Sequence, residues 1–287
     1  KDGDFDEIAS LCGHIVFNSF AQLEKYRNRC KGASIGIRIN PECSTQDHAI
    51  YDPCAPGSRL GITVANFCPE RLGGVEGFHF HTLCEQNADA LATTLDAVEE
   101  KFGKWLYQMK WINIGGGHHI TRSDYDIKLL EQCIKRIQDK YQVEGYLEPG
   151  EAIALNAGYL ITEVLDIVEN GIITLILDTS AACHMPDVLE MPFRPPLLNS
   201  GQEGEKAFTY RLSSLTCLAG DIIGDYSFDD EVKIGDHLCF LNTAIYSMVK
   251  NNTFNGIQLP AIAAMSEDGN YRMIKSFDYH DFKNRLS

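Results

Sequence analysis

Between positions 15 and 156, short apolar runs alternate with longer segments whose apolar residues recur every three or four positions. That is the pattern of strands joined by helices around a parallel sheet. Strands are expected at HIVF (14–17), SIGIRI (34–39), VEGFHF (75–80), WINIG (111–115) and EGYLEP (144–149), with helices near 19–31, 85–103 and 124–141. In the middle helix, Ala88, Leu91, Leu95 and Val98 fall on one face at helical spacing and read as core.

A closed (β/α)₈ barrel needs eight strands, so a doubly wound open sheet stands beside it as an alternative. The chain enters its first strand almost at once, with no earlier element for that strand to pair with. Two or three upstream βα units, and one strand after Pro149, would bring the count near eight and make this an N-terminally incomplete TIM barrel.

After about position 157 the texture changes to β-rich runs, YLITEVLDIVE, IITLILDT, AFTYRL, HLCFL and YRMI, separated by loops containing Gly, Pro and Asp. The expected organisation is therefore α/β plus β: a partial barrel at 1–156 and a mainly β domain at 157–287, with a return of the chain to the barrel left open. The proline-rich stretch 185–204 is long for a passive connection and points to function or an interface.

Composition narrows the partners. The 287 residues carry 25 Lys and Arg against 40 Asp and Glu, a formal charge of -15, which argues against nucleic acid and anionic membranes and suits a cationic ligand. The ten cysteines include no CxxC pair and read as reduced thiols. No secretory leader pattern and no apolar run of spanning length is seen, so a cytoplasmic location is expected.

Candidate chemistry sits at the ends of the expected strands. Gly115, Gly116 and Gly117 follow WINI, where backbone amides could meet a phosphate, or where a tight turn simply needs glycine. Glu148, before Pro149 and Gly150, ends the next strand as a reactive group or as a turn cap. His79 and His81 share a strand face; with His118 or His119 they could be read as zinc ligands, but no established ligand pattern occurs and no metal is expected.

Taken in order, RLG (59–61), GFHFHTLCE (77–85), INIGGGHH (112–119), EPGEA (148–152), LDT (177–179), TCLAGD (216–221), and AIY then FNG (244–256) resemble the fold-type III pyridoxal-phosphate decarboxylases. That family includes ornithine, diaminopimelate and carboxynorspermidine decarboxylases. EPGEA, TCLAGDIIGDY and MPFRP look closest to the branch acting on carboxylated triamines. The resemblance implies an alanine-racemase-like barrel, a β domain, a pyridoxal 5′-phosphate cofactor and a homodimer with shared active sites.

The resemblance also assigns roles. Glu148 would pair with the pyridine nitrogen, His81 would stack on the ring, and Gly115, Gly116 and Gly117 would hold the phosphate, with Arg59 and Tyr246 near the cofactor. Cys217 would be the proton donor after CO₂ leaves, presented from the opposite subunit. Apart from the family's roles, the charge of a carboxylated polyamine makes Asp178, Asp187 and Asp221 candidates to meet its ammonium groups, or turn caps as at Asp187 beside Pro186, and Arg194 a candidate for its carboxylate or a loop-fixing guanidinium.

Two departures matter. Leu218 follows Cys217 where related enzymes carry an acid, and Glu151 stands where ornithine decarboxylase has a basic residue, so another group must balance a bound phosphate. No lysine has the early strand-end context of the family's cofactor lysine; it is expected upstream, in a segment of about 80–90 residues, and the chain alone is expected to be inactive. The implied reaction is decarboxylation of carboxynorspermidine or carboxyspermidine to norspermidine or spermidine in polyamine synthesis. A diaminopimelate decarboxylase of lysine synthesis and a non-catalytic decarboxylase-like binding protein are the alternatives.

Overall fold

The computed structural model describes residues 1–287 as two compact units, Lys1–Ile153 and Ala154–Ser287. In the first unit the expected strands form as β1 (His14–Phe17), β2 (Ser34–Arg38), β3 (Gly77–His79), β4 (Trp111–Asn113) and β5 (Glu144–Tyr146). They are parallel and lie side by side in chain order, β1-β2-β3-β4-β5. A doubly wound sheet reverses its strand order at a switch point, and these strands do not. Five strands do not make a complete barrel.

The strands end earlier than their apolar runs, but ladder bonding continues past them: Phe80 N donates to Asn113 O at 3.0 Å and Ile114 N to Tyr146 O at 2.9 Å. One packing requirement explains two glycines. A Cβ on Gly77 would lie 2.0 Å from the Trp111 ring, and one on Gly36 would lie 2.3 Å from it, so both must be bare for the indole to lie across the sheet.

The helices are α1 (Asp2–Leu11), α2 (Phe20–Tyr26), α3 (Ala88–Leu106), α4 (Ile127–Tyr141) and α5 (Gly150–Ala154). Asn87 caps α3, which buries Leu91, Leu95, Val98 and Phe102; Asp126 caps α4 by accepting from Leu129 N. Helix α1 was not expected, and it packs before β1 without giving that strand a pairing partner, so β1 is an edge strand of the sheet. The Phe5 ring of α1 lies 4.2 Å from Tyr26 and 6.2 Å from Phe17, centroid to centroid.

The second unit carries a mixed sheet of β6 (Leu160–Glu169), β7 (Ile173–Leu177), β8 (Phe208–Ser213), β9 (Ile222–Phe228) and β10 (His237–Phe240), ordered β10-β6-β7-β8-β9. Only β7 and β8 pair in parallel, which requires a long crossover between them. The stretch 185–204 belongs to that crossover, with α6 (Ala181–His184) and α7 (Asp187–Glu190), so its length has a topological reason. Strand β9 was legible only as part of a motif; it buries Ile223, Tyr226 and Phe228.

A separate hairpin of β11 (Ile262–Met265) and β12 (Tyr271–Lys275) precedes α8 (Tyr279–Leu286). No helix is long and apolar enough to cross a membrane, and all ten cysteines are free thiols.

Candidate active site

At the C-terminal ends of β3, β4 and β5, three successive loops bring together His81, the glycine run and Glu148. Glu148 Oε1 accepts from Asn113 Nδ2 at 2.8 Å, and its Oε2 lies 3.7 Å from His79 Nε2. His79, followed by Asn113, holds the Glu148 carboxyl down to about 2 against the opposing effect of burial, so it is ionised at any working pH. His79 is buried, and its Nδ1 has no hydrogen-bond partner.

His81 Nδ1 accepts from Gly116 N at 2.9 Å, which places the ring proton on Nε2. Burial, then the Arg38 charge, lowers the His81 pKa, so the ring is neutral. The sequence did not single out Arg38. Its Nη2 donates to His81 O at 3.4 Å, and burial lowers its pKa, with the Glu148 charge partly offsetting this and Arg59 adding to it. Arg59 is exposed on its loop, and its carbonyl accepts from Asn18 Nδ2 at 2.8 Å.

The glycine run is more committed than its sequence suggested. Gly115 N donates to Asn113 Oδ1 at 2.9 Å and Gly116 N to His81 Nδ1, so two of the three expected phosphate donors already serve the protein. Gly117 N has no such partner within the protein. Close backbone approach makes all three positions glycine: an added Cβ would meet Phe80 O at 2.5 Å from Gly115, Glu148 O at 2.5 Å from Gly116 and Leu83 O at 2.1 Å from Gly117. His118 is a packed core residue, with Nε2 3.5 Å from Ile114 O and a pKa pushed down to about 4 by burial.

In the second unit, Cys217 is exposed on a loop pinned from two sides. Its N–H donates to Asn255 Oδ1 at 2.9 Å, and neighbouring Thr216 Oγ1 donates to Asp221 Oδ2 at 2.5 Å. Tyr246 is exposed, with φ at 36°.

The acids expected to meet substrate ammonium groups also have partners within the protein. Asp221 is 1% exposed and also accepts from Ser180 Oγ, Ser214 Oγ and Ala182 N. Asp178 accepts from Thr162 Oγ1 and Glu163 N, and Asp187 pairs with Lys250. Each was a candidate because a cationic polyamine needs acidic partners, and the sequence did not reveal the donors that fold onto them.

Arg194 packs its guanidinium 4.3 Å from the Tyr226 ring and donates from Nη2 to Gly201 O at 3.4 Å, while Nη1 is buried without a partner.

Asp221 also gives a stability prediction. Burial raises its pKa, but the hydroxyl donors outweigh that and leave it below the ordinary 3.8. Its stabilisation is therefore full above about pH 4 and lost as pH falls through the folded-state value. Asp221→Ala should cost about 2–4 kcal/mol by stranding its donors, measured as a lowered urea midpoint at neutral pH. A change below about 0.5 kcal/mol would mean that water replaces the carboxylate.

Comparison with known proteins places the chain. Residues 48–244 match the family model described as pyridoxal-dependent decarboxylase, C-terminal sheet domain. A carboxynorspermidine/carboxyspermidine decarboxylase of Campylobacter jejuni is 46% identical, covering 99% of this chain and 78% of that protein. A carboxyaminopropylagmatine decarboxylase of Synechocystis is 40% identical, covering 100% of this chain and 75% of that protein. The crystal structure of the Campylobacter jejuni carboxynorspermidine decarboxylase complexed with norspermidine superposes with a TM-score of 0.90 at 44% identity, covering 99% of this chain and 78% of that one.

Proposed function

The chain belongs to the pyridoxal-dependent decarboxylases, and on that premise we propose that it removes the carboxylate of carboxynorspermidine or carboxyspermidine, releasing CO₂ and norspermidine or spermidine. The observation that carries this reading is Glu148, a carboxylate held ionised at a parallel-strand end beside a neutral, hydrogen-bonded imidazole. The five parallel strands fit consecutive strands of a (β/α)₈ barrel, whose reactive groups stand at this end.

The residues present fit pyridoxal 5′-phosphate. Backbone atoms packed against the glycine positions leave no room for a Cβ, the Gly117 amide is available to an anion, and His79 Nδ1 is a buried atom without a partner. When bound, the cofactor supplies an electron sink for the pair left as the C–CO₂ bond breaks. Glu148 would hold a proton on the pyridine nitrogen, and His81 would offer its ring face, with Nδ1 fixed by Gly116 and Glu148 oriented by Asn113. Cys217 Sγ gives its proton to the substrate carbon, in a homodimer with shared sites.

Four of the first unit's nine lysines have partners away from these loops. Lys25 pairs with Asp2, Lys101 donates to Pro41 O, Lys140 pairs with Glu99, and Lys110 pairs with Glu76 at the opposite end of β4. The chain spans 78% and 75% of the length of the Campylobacter jejuni and Synechocystis relatives, and the holoenzyme is the form to assay.

CO₂ release should be compared for carboxynorspermidine, carboxyspermidine, carboxyaminopropylagmatine, meso-diaminopimelate and ornithine. The expected result is a kcat/KM at least about 100-fold higher for a carboxylated polyamine than for either amino acid. Preference for diaminopimelate would overturn the proposal.

A further inference from the structure

We infer that Glu85, His119 and Glu151 form a binding site for a divalent metal ion that ties the three active-site loops together. One ligand atom from each residue lies within 4.8 Å of the other two. The residues come from consecutive connections: Glu85 from the loop after β3, His119 from the loop after β4, and Glu151 from α5 after β5. Those same connections carry His81, the glycine run and Glu148.

His119 points to a missing partner. It is 6% exposed, and neither of its ring nitrogens makes a hydrogen bond, a costly state for a buried imidazole. Its Nε2 nevertheless lies 3.3 Å from Glu151 Oε2. Two ligands each about 2.05 Å from one ion at a near-tetrahedral angle are about 3.3 Å apart. An ammonium group donating at about 2.9 Å would hold its acceptors about 4.7 Å apart, so the spacing fits a shared metal or a direct ion pair and not a bridging ammonium, and the buried imidazole with no hydrogen bond favours the metal.

Glu85 is exposed, so its side chain is free to turn between rotamers toward the other two. Two carboxylates and an imidazole suit a borderline or hard divalent cation such as Mn²⁺, Co²⁺ or Zn²⁺, with a coordination position left for water. Taken with the proposed cofactor reading, the ion would also place positive charge close along the chain from Gly117, where Glu151 cannot neutralise a phosphate. The metal site does not depend on that reading.

The test uses Mn²⁺, which disfavours the protein's thiols, titrated calorimetrically into full-length protein freed of metal with EDTA, and Co²⁺, whose visible spectrum reports ligand type. One equivalent should bind, the Co²⁺ spectrum should show nitrogen and oxygen ligands, and the melting temperature should rise. Glu85→Gln and Glu151→Gln should each weaken binding by at least about 100-fold and abolish the thermal shift. Glu85 is exposed, so its variant keeps the test open if a change at Glu151 disturbs folding.

No uptake of either metal, or uptake unchanged in both variants, would overturn the site and leave His119 and Glu151 as an ion pair. Protection by norspermidine without metal uptake would reassign the cluster to an ammonium group and overturn the metal inference. Neither readout requires decarboxylation, so failure here is distinguishable from failure of the proposed reaction.

Discussion

Glu148→Gln should lower the decarboxylation kcat of the full-length holoenzyme by about 10²–10³-fold, the range seen when one preorganised electrostatic partner is removed. The amide is nearly isosteric and can still accept from Asn113 Nδ2, so the loop should stay in place. What it loses is the negative charge that, on the proposed reading, would keep the pyridine nitrogen protonated. Because the carboxyl is held down to about 2, Glu148 is ionised throughout the usual assay range. The acid limb of the wild-type pH–rate profile should therefore belong to another group.

Binding of pyridoxamine 5′-phosphate, which needs no lysine, provides the control. Its affinity should change far less than kcat. A kcat within threefold of wild type would remove Glu148 from the proposed chemistry.

Cys217→Ala should reduce triamine formation by about 10²-fold or more, since a positioned proton donor is lost. Cofactor affinity should hold, because the loop's anchors are the Cys217 backbone N–H to Asn255 and Thr216 to Asp221, and neither uses the thiol. If each site is shared between subunits, mixing Cys217→Ala chains with Glu148→Gln chains should restore activity that neither has alone, because one site of each mixed dimer is then intact. Unchanged turnover in Cys217→Ala would defeat the proton-donor role. A silent mixture of folded, exchanged subunits would defeat the sharing.

The five parallel strands and the main helices of the first unit were legible because apolar periodicity is local, and short strands alternating with amphipathic segments have few other solutions. Helix α1 escaped because only Phe5 and Ala9 of its ten residues are buried, too sparse a signal without the rings they meet. Strand β9 escaped because Gly224 and Asp225 interrupt its apolar pattern; Asp225 is held there by Arg211 across the ladder.

The sequence by itself determined where anion-compatible glycines and an acid before Pro-Gly would stand, because turn chemistry and strand punctuation are written in adjacent residues. Only the tertiary structure decided what those groups are free to do. Gly115 and Gly116 amides go to Asn113 and His81, Asp221 is saturated by donors from several segments, and Glu85, His119 and Glu151 meet across three loops. Hydrogen bonds and ligand geometry depend on where distant side chains converge. A local pattern can nominate the residue, but not its partner.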